Sequence, residues 1–95
     1  MAVLWIPPSM RDLTGGKENV LVPGRNVREA LANLEALHPG VWDRLIRDGE
    51  LSPHVSVVVD GQASTMGARH PLRDESDVRF LPMIAGGQKM RRFNR

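Results

Sequence analysis

Val78-Arg79-Phe80-Leu81-Pro82-Met83-Ile84-Ala85-Gly86-Gly87 is the stretch whose reading decides the fold. Its first seven residues, Val78 to Ile84, read as a β-strand with Val78 and Phe80 on one face and Arg79 and Leu81 on the other. A Gly-Gly pair follows, and beyond it lie eight further residues, Gln88-Lys89-Met90-Arg91-Arg92-Phe93-Asn94-Arg95. Strand alternation cannot bury Leu81, Met83 and Ile84 together under one helix, so Phe80, Leu81, Pro82, Met83 and Ile84 are the candidate partner-binding strip. The competing reading packs Ile84 into the core beside an exposed Met83. Val3 and Trp5, opposite Leu4 and Ile6, are a second candidate surface if the sheet face they line is open.

Working back from that strand, the remaining elements come in a definite order. Val3-Leu4-Trp5-Ile6 is a first strand stopped by Pro7-Pro8. Thr14-Gly15-Gly16-Lys17 is a turn, and Glu18 to Val22 a returning strand ended by Pro23-Gly24. Asn26 caps the clearest helix, with Glu29 completing a capping-box pattern. Val27, Ala30, Leu31, Leu34 and Leu37 form its apolar stripe, and Pro39-Gly40 ends it. Val41 to Ile46 reads as a helical turn or second helix held by Leu45 and Ile46. Val55 to Val59 is the strongest strand, followed by an Asp60-Gly61 turn. Residues 62–77 are rich in turn formers, with Leu72 the expected anchor. The order predicts an α+β fold, one sheet over one long helix.

Composition limits what such a chain can do. Ninety-five residues make one domain, able to bury roughly 60–65% of the unfolded chain's surface. A hydrophobic share of 41% and a charged share of 25% describe an ordinary globule. No run approaches the roughly 20 apolar residues of a membrane span, and the N-terminal run is too short, and lacks the basic lead-in, for a secretory signal. With no cysteine there is no disulfide framework, thiol nucleophile or Cys-based metal site. These features favour the cytoplasm. Residues 88–95 carry four of the thirteen Lys/Arg and no acid, whereas residues 1–87 carry nine basic and eleven acidic side chains, a net of −2. The basicity therefore belongs to the last eight residues and the body is mildly acidic.

The ending narrows the fold further. Phe80-Leu81-Pro82-Met83-Ile84-Ala85-Gly86-Gly87, with Ile6-Pro7, Thr14-Gly15-Gly16 and the acidic turn Asp74-Glu75-Ser76-Asp77, resembles the MoaD/ThiS sulfur-carrier family, nearest its cysteine-biosynthesis type. The likeness covers residues 2–87 and implies a ubiquitin-like β-grasp, a mixed β-sheet packed on one main helix. It implies a sulfur carrier that is a protein cosubstrate of an adenylating enzyme and has no catalytic side chains. An ATP-using partner would adenylate the carboxylate of Gly87, and sulfide or a persulfide would convert it to a thiocarboxylate for a sulfur-accepting biosynthetic enzyme. Cysteine is the leading product, with molybdopterin, thiamin or another sulfur metabolite open. No cofactor is bound by the carrier itself. Ala85 and Gly86 belong to the reactive tail, residues 82–87, which extended spans on the order of 20 Å. Glycine at the tip removes Cβ atoms and admits backbone close to a nucleotide.

The extension departs from most of the family, because Gly87 is held in a peptide bond with Gln88. By analogy with relatives so extended, a zinc-dependent JAMM-type peptidase would cut between Gly87 and Gln88, the metal belonging to the peptidase. Two alternatives stay open. One is a protein modifier joined through Gly87 to a target lysine; the other is a β-grasp interaction module whose basic tail binds nucleic acid. Four charges and Phe93 are a small, salt-sensitive footprint for the latter.

The remaining motifs carry little chemistry. His38, His54 and His70 lack metal-site spacing. No serine sits in a G-x-S-x-G context, and no nucleophile–base pair is expected. Asp74, Glu75 and Asp77 read as a solvated turn rather than a cation site. Gly15-Gly16 is not a P-loop.

Overall fold

A computed structural model describes residues 1–82 of the chain. Five strands form one sheet in the order β2-β1-β7-β5-β6. They are β1 (Ala2–Trp5), β2 (Asn19–Val22), β5 (Val55–Val59), β6 (Gln62–Ala63) and β7 (Asp77–Pro82). β1 runs parallel to β7 and the other three pairings are antiparallel, so the sheet is mixed. Helix α1 (Val27–Leu37) packs on one face, followed by the short α2 (Val41–Leu45). A two-stranded hairpin, β3 (Ile46–Arg47) and β4 (Glu50–Leu51), stands apart from the sheet. This is the α+β arrangement expected.

The four longer strands of the sheet, β1, β2, β5 and β7, send alternate side chains into the core. Leu4, Val20, Val22, Val57, Val59, Val78 and Phe80 meet Val27, Ala30, Leu31 and Leu34 of α1, with Val41 and Leu45 of α2 joining the same cluster. The helix starts as its sequence implies, since the Asn26 side chain accepts from Glu29 N at 2.8 Å. The reciprocal half of the box is displaced by one residue: the Glu29 carboxylate accepts from Arg25 N at 2.8 Å instead of from Asn26. Leu37 departs from the expected stripe: it is the last residue of α1 and is exposed, at a groove beside the edge strand β2.

Several connections are more structured than their composition suggests. Pro8–Thr14 is a 3-10 helix, and its last residue, Thr14, is buried. The Thr14 hydroxyl donates toward the carbonyls of Arg11 (3.2 Å) and Lys17 (2.9 Å), tying the helix to the turn after it. Asp48-Gly49 and Asp60-Gly61 have positive φ at both residues, the requirement of the two-residue hairpin turns they close. The first of these hairpins was not anticipated. In residues 62–77 the fully buried anchor is Ala68, on a second 3-10 helix (Gly67–Arg69), while Leu72 is only half-buried. Among the described residues no helix is long and apolar enough to cross a membrane.

Candidate functional site

The last described strand lies in the middle of the sheet. Parallel pairing with β1 ends at Trp5↔Arg79, whereas antiparallel pairing with β5 continues to Val55↔Pro82. β1 stops because Pro7-Pro8 follow it, and proline supplies no ladder N–H. Phe80, Leu81 and Pro82 therefore outrun β1 and form the root from which the chain continues to Gly87.

At this root the candidate strip divides. Leu81 is 48% exposed and Pro82 is exposed, so both are available to a partner. Phe80 is only 3% exposed and belongs to the core, which corrects its placement in the docking strip. It shares the phase of buried Val78, and that phase faces the helix. Its ring instead helps to floor two grooves flanking the strand end. One lies between Met10, Leu45, Val55 and Pro82, with Arg44 at its rim. The other lies between Pro7, Pro8 and Leu81, flanked by Arg11 and Arg79.

The arginines here are held by neighbours that carry no charge or by a shared carboxylate. Arg11 Nε donates to the Ile6 carbonyl at 3.1 Å, and Arg44 Nη1 to that of Ser9 at 3.5 Å. Arg79 lies with its guanidinium carbon 4.4 Å from the centroid of the Trp5 ring and donates Nε to Asp77 Oδ1 at 3.0 Å. The other oxygen of Asp77 accepts Trp5 Nε1–H at 3.0 Å. This closed triad braces the strand pair carrying the tail, and a partially exposed cation–ring contact contributes about 0.5–1 kcal/mol. Val3 and Trp5 do lie on the sheet face opposite Leu4 and Ile6, and are half-buried there. Arg11 and Arg44 were not singled out from sequence, because only the 3-10 helix and α2 bring them to the root.

A second brace holds the turn before β7. Asp60 accepts from Asp77 N (2.8 Å) through Oδ1 and from the Ser76 hydroxyl (3.0 Å) through Oδ2, and Arg73 lies 3.7 Å away. The backbone N–H of Asp77 is the main reason the Asp60 carboxyl is held below its usual range, with Ser76 and Arg73 adding to it against a desolvation cost.

Met83, Ile84, Ala85, Gly86, Gly87 and Gln88 lie outside the described residues, as does the whole 88–95 extension. No group of three or more His, Asp or Glu side chains that could hold a metal occurs among the described residues. One expectation is corrected: Ser64 Oγ does meet a base, lying 2.7 Å from His70 Nδ1. The same oxygen accepts the amides of Met66 (2.9 Å) and Gly67 (3.2 Å), so it caps the second 3-10 helix. That role explains the contact, and among the described residues no acid is hydrogen-bonded to the ring as in a catalytic triad. The described part of the site is thus an exposed strand end, Leu81-Pro82, flanked by two grooves.

The sequence model of the ThiS family matches residues 4–87, ending on the second glycine. The chain belongs to the ThiS family. Among curated relatives, the sulfur carrier protein CysO of Mycobacterium tuberculosis is 30% identical over 87 residues, covering 86% of this chain and 94% of CysO. The small archaeal modifier protein 3 of Haloferax volcanii is 40% identical over 63 residues, covering 64% of this chain and 68% of that protein. In three dimensions the ThiS-family domain superposes on a chain of the Amycolatopsis orientalis BexX/CysO complex with a TM-score of 0.83 at 29% identity, covering 92% of this chain and all of that one. Mycobacterium tuberculosis CysO itself gives 0.82 at 26%, covering 88% and 100%. The fold is therefore the ubiquitin-like β-grasp implied by the closing strand.

Proposed function

We propose that this ThiS-family chain is the precursor of a sulfur carrier. The observation that carries the reading is the position of its family match. The match ends on Gly86-Gly87, five residues beyond a central strand whose last residues, Leu81 and Pro82, are exposed.

In this reading a JAMM-type peptidase first hydrolyses the Gly87–Gln88 bond, leaving residues 1–87 with a free carboxylate. That carboxylate attacks the α-phosphorus of ATP on an activating enzyme, and pyrophosphate leaves. Sulfide then attacks the acyl carbon and AMP departs, giving the thiocarboxylate directly. A persulfide attacking in the same way gives an acyl disulfide, whose S–S bond a second thiol on the donor reduces, releasing the thiocarboxylate and leaving a disulfide behind. The carrier supplies reach and recognition: the strip from Leu81 onward leads the tail into the partner, and arginines 11, 44 and 79 border its root. The CysO crystallised with BexX supports the view that such carriers are recognised by partner proteins. A biosynthetic enzyme would receive the sulfur, with cysteine favoured as product by the likeness to CysO. The cytoplasm, where ATP is supplied, is the compartment this requires.

Intact mass after incubation with a JAMM-type peptidase, an activating enzyme, ATP and sulfide tests the proposal. Loss of residues 88–95 followed by an oxygen-for-sulfur exchange at Gly87 is expected. Persistence of the full mass alongside normal sulfur transfer would overturn the processing step. A second reading, a protein modifier joined through Gly87 to lysine, is favoured by the 40% identity to an archaeal modifier. Both routes share the acyl-adenylate, and isopeptide-linked adducts in cells distinguish them.

A further inference from the structure

The two edges of the sheet differ. β6 is an edge of only two residues, Gln62–Ala63, too short to template another strand. β2 is the opposite edge, four residues long, lying between Lys17 and Pro23. Ile6 N donates to the Glu18 carbonyl at 2.8 Å, and the same register continues through Leu4↔Val20 and Ala2↔Val22. By antiparallel alternation, Glu18, Val20 and Val22 turn their backbone polar groups to β1, and Asn19 and Leu21 turn theirs outward.

This edge also carries two large exposed apolar side chains. Leu21 is 58% exposed and Leu37, in the last turn of α1, is 59% exposed. Leu21 pairs with Val3 on the open face, whereas Leu37 belongs to the helix covering the other face. Both line one groove beside β2 with Lys17, Asn19, Val20 and His38.

We infer that this edge docks an extended peptide of a partner protein, added beside β2 as a sixth strand, with consecutive apolar residues and a carboxylate next to Lys17. The outward amides and carbonyls of Asn19 and Leu21 call for backbone in the extended form. Successive side chains of an added strand point to opposite faces, so one set meets Leu21 and the next meets Leu37. That geometry selects an unbroken apolar run over strict alternation. Lys17 is the one Lys or Arg in the groove and selects an acidic flank. A second copy of β2 fits poorly, because its Val20 and Val22 are committed to their own core and only Leu21 would be offered. The edge lies two strand spacings from β7, about 10 Å, so the inference stands independently of the sulfur-carrier reading.

Titration of the isotopically labelled full chain with a capped Asp-Val-Ile-Val-Ile-Asp peptide, followed by NMR, tests it. Shift changes should centre on Asn19, Leu21 and the last turn of α1, and the Asn19 and Leu21 amides should exchange at least about tenfold more slowly when saturated. Replacing the peptide's aspartates by lysines should weaken binding by about threefold to fivefold. Leu21→Ser and Leu37→Ser should each weaken it about fivefold while leaving the urea midpoint nearly unchanged, since both side chains are exposed. The inference is overturned by an absence of shifts at millimolar peptide, by shifts centred on Trp5 and Leu81, by unchanged exchange at Asn19 and Leu21, or by equal binding of the acidic and basic peptides. Concentration-dependent self-association through β2 without peptide would overturn it in favour of a second copy.

Discussion

Glu35 is placed to hold the elements flanking one wall of the tail root, and removing it has a calculable effect. Its Oε1 accepts Trp42 N at 2.8 Å and Gly40 N at 3.1 Å, while Oε2 lies 3.2 Å from the same Gly40 N. The carboxylate thus joins α1 to the start of α2, whose Leu45 and Arg44 border a root groove. Two backbone donors are served, each bond to a charged acceptor contributing about 1.5–3 kcal/mol. Gly40 shares its hydrogen between two oxygens and the site is half-buried, so water can replace part of the loss. The lower end of the range applies, giving about 2–3 kcal/mol for Glu35→Ala. Glu35→Gln keeps one neutral acceptor for Trp42 and should lose about 1 kcal/mol. For a domain of this size 1 kcal/mol corresponds to about 4–8 °C in Tm, so the alanine variant should melt more than about 8 °C lower. Urea unfolding followed by far-UV circular dichroism measures both. An alanine variant within about 0.5 kcal/mol of the parent, or a glutamine variant as damaging as alanine, would refute the capping argument.

Other substitutions probe the same frame. A Cβ at Gly24 would lie 2.6–2.8 Å from the backbone N, Cα and Cβ of Ala30, so Gly24→Ala should destabilise by about 2 kcal/mol or more, read from the urea midpoint. Phe80→Ala and Leu81→Ala should separate packing from docking: the first loses about 3–5 kcal/mol of stability. The second should leave stability nearly unchanged and weaken capture by the activating enzyme, as measured by pyrophosphate exchange. Because Asp60 is held low, its stabilising contribution is present above the unfolded carboxyl value near pH 4 and fades as pH falls through the lower folded value. Asp60→Asn, which also tolerates the left-handed turn, should therefore flatten the loss of stability below about pH 4 relative to the parent. Gly87→Val should block adenylation with the melting temperature unchanged, whereas retained adenylation would remove the tail from the mechanism.

Long, strongly patterned elements were readable from the sequence. The Asn26 cap, the α1 stripe and Val55–Val59 follow from local periodicity, and the alternation of Val78 and Phe80 against Arg79 and Leu81 is what the sheet displays. Alternation had already placed Phe80 on the face of Val78 and opposite Leu81, so Phe80 and Leu81 could not both belong to one docking strip. The β3–β4 hairpin escaped because two residues per strand make no period, leaving only Asp48-Gly49 as a signal. Leu37 fits the helical stripe but is exposed at the last residue of α1, beside the sheet edge, which local periodicity cannot foresee. The Trp5–Asp77 bond joins residues 72 apart, and the Ser64–His70 contact arises from a 3-10 turn that bears no pattern of its own.

The parallel pairing of β1 with β7 has a mechanical consequence. A partner drawing on the carboxyl end pulls β7 along its own axis, and restraint at the amino end pulls β1 the opposite way. The load falls as shear on hydrogen bonds arranged side by side, with β5 gripping the far flank of β7. Bonds loaded together resist far better than bonds unzipped one at a time from a margin. The body can therefore stay folded while a load is applied to the chain that leaves the central strand.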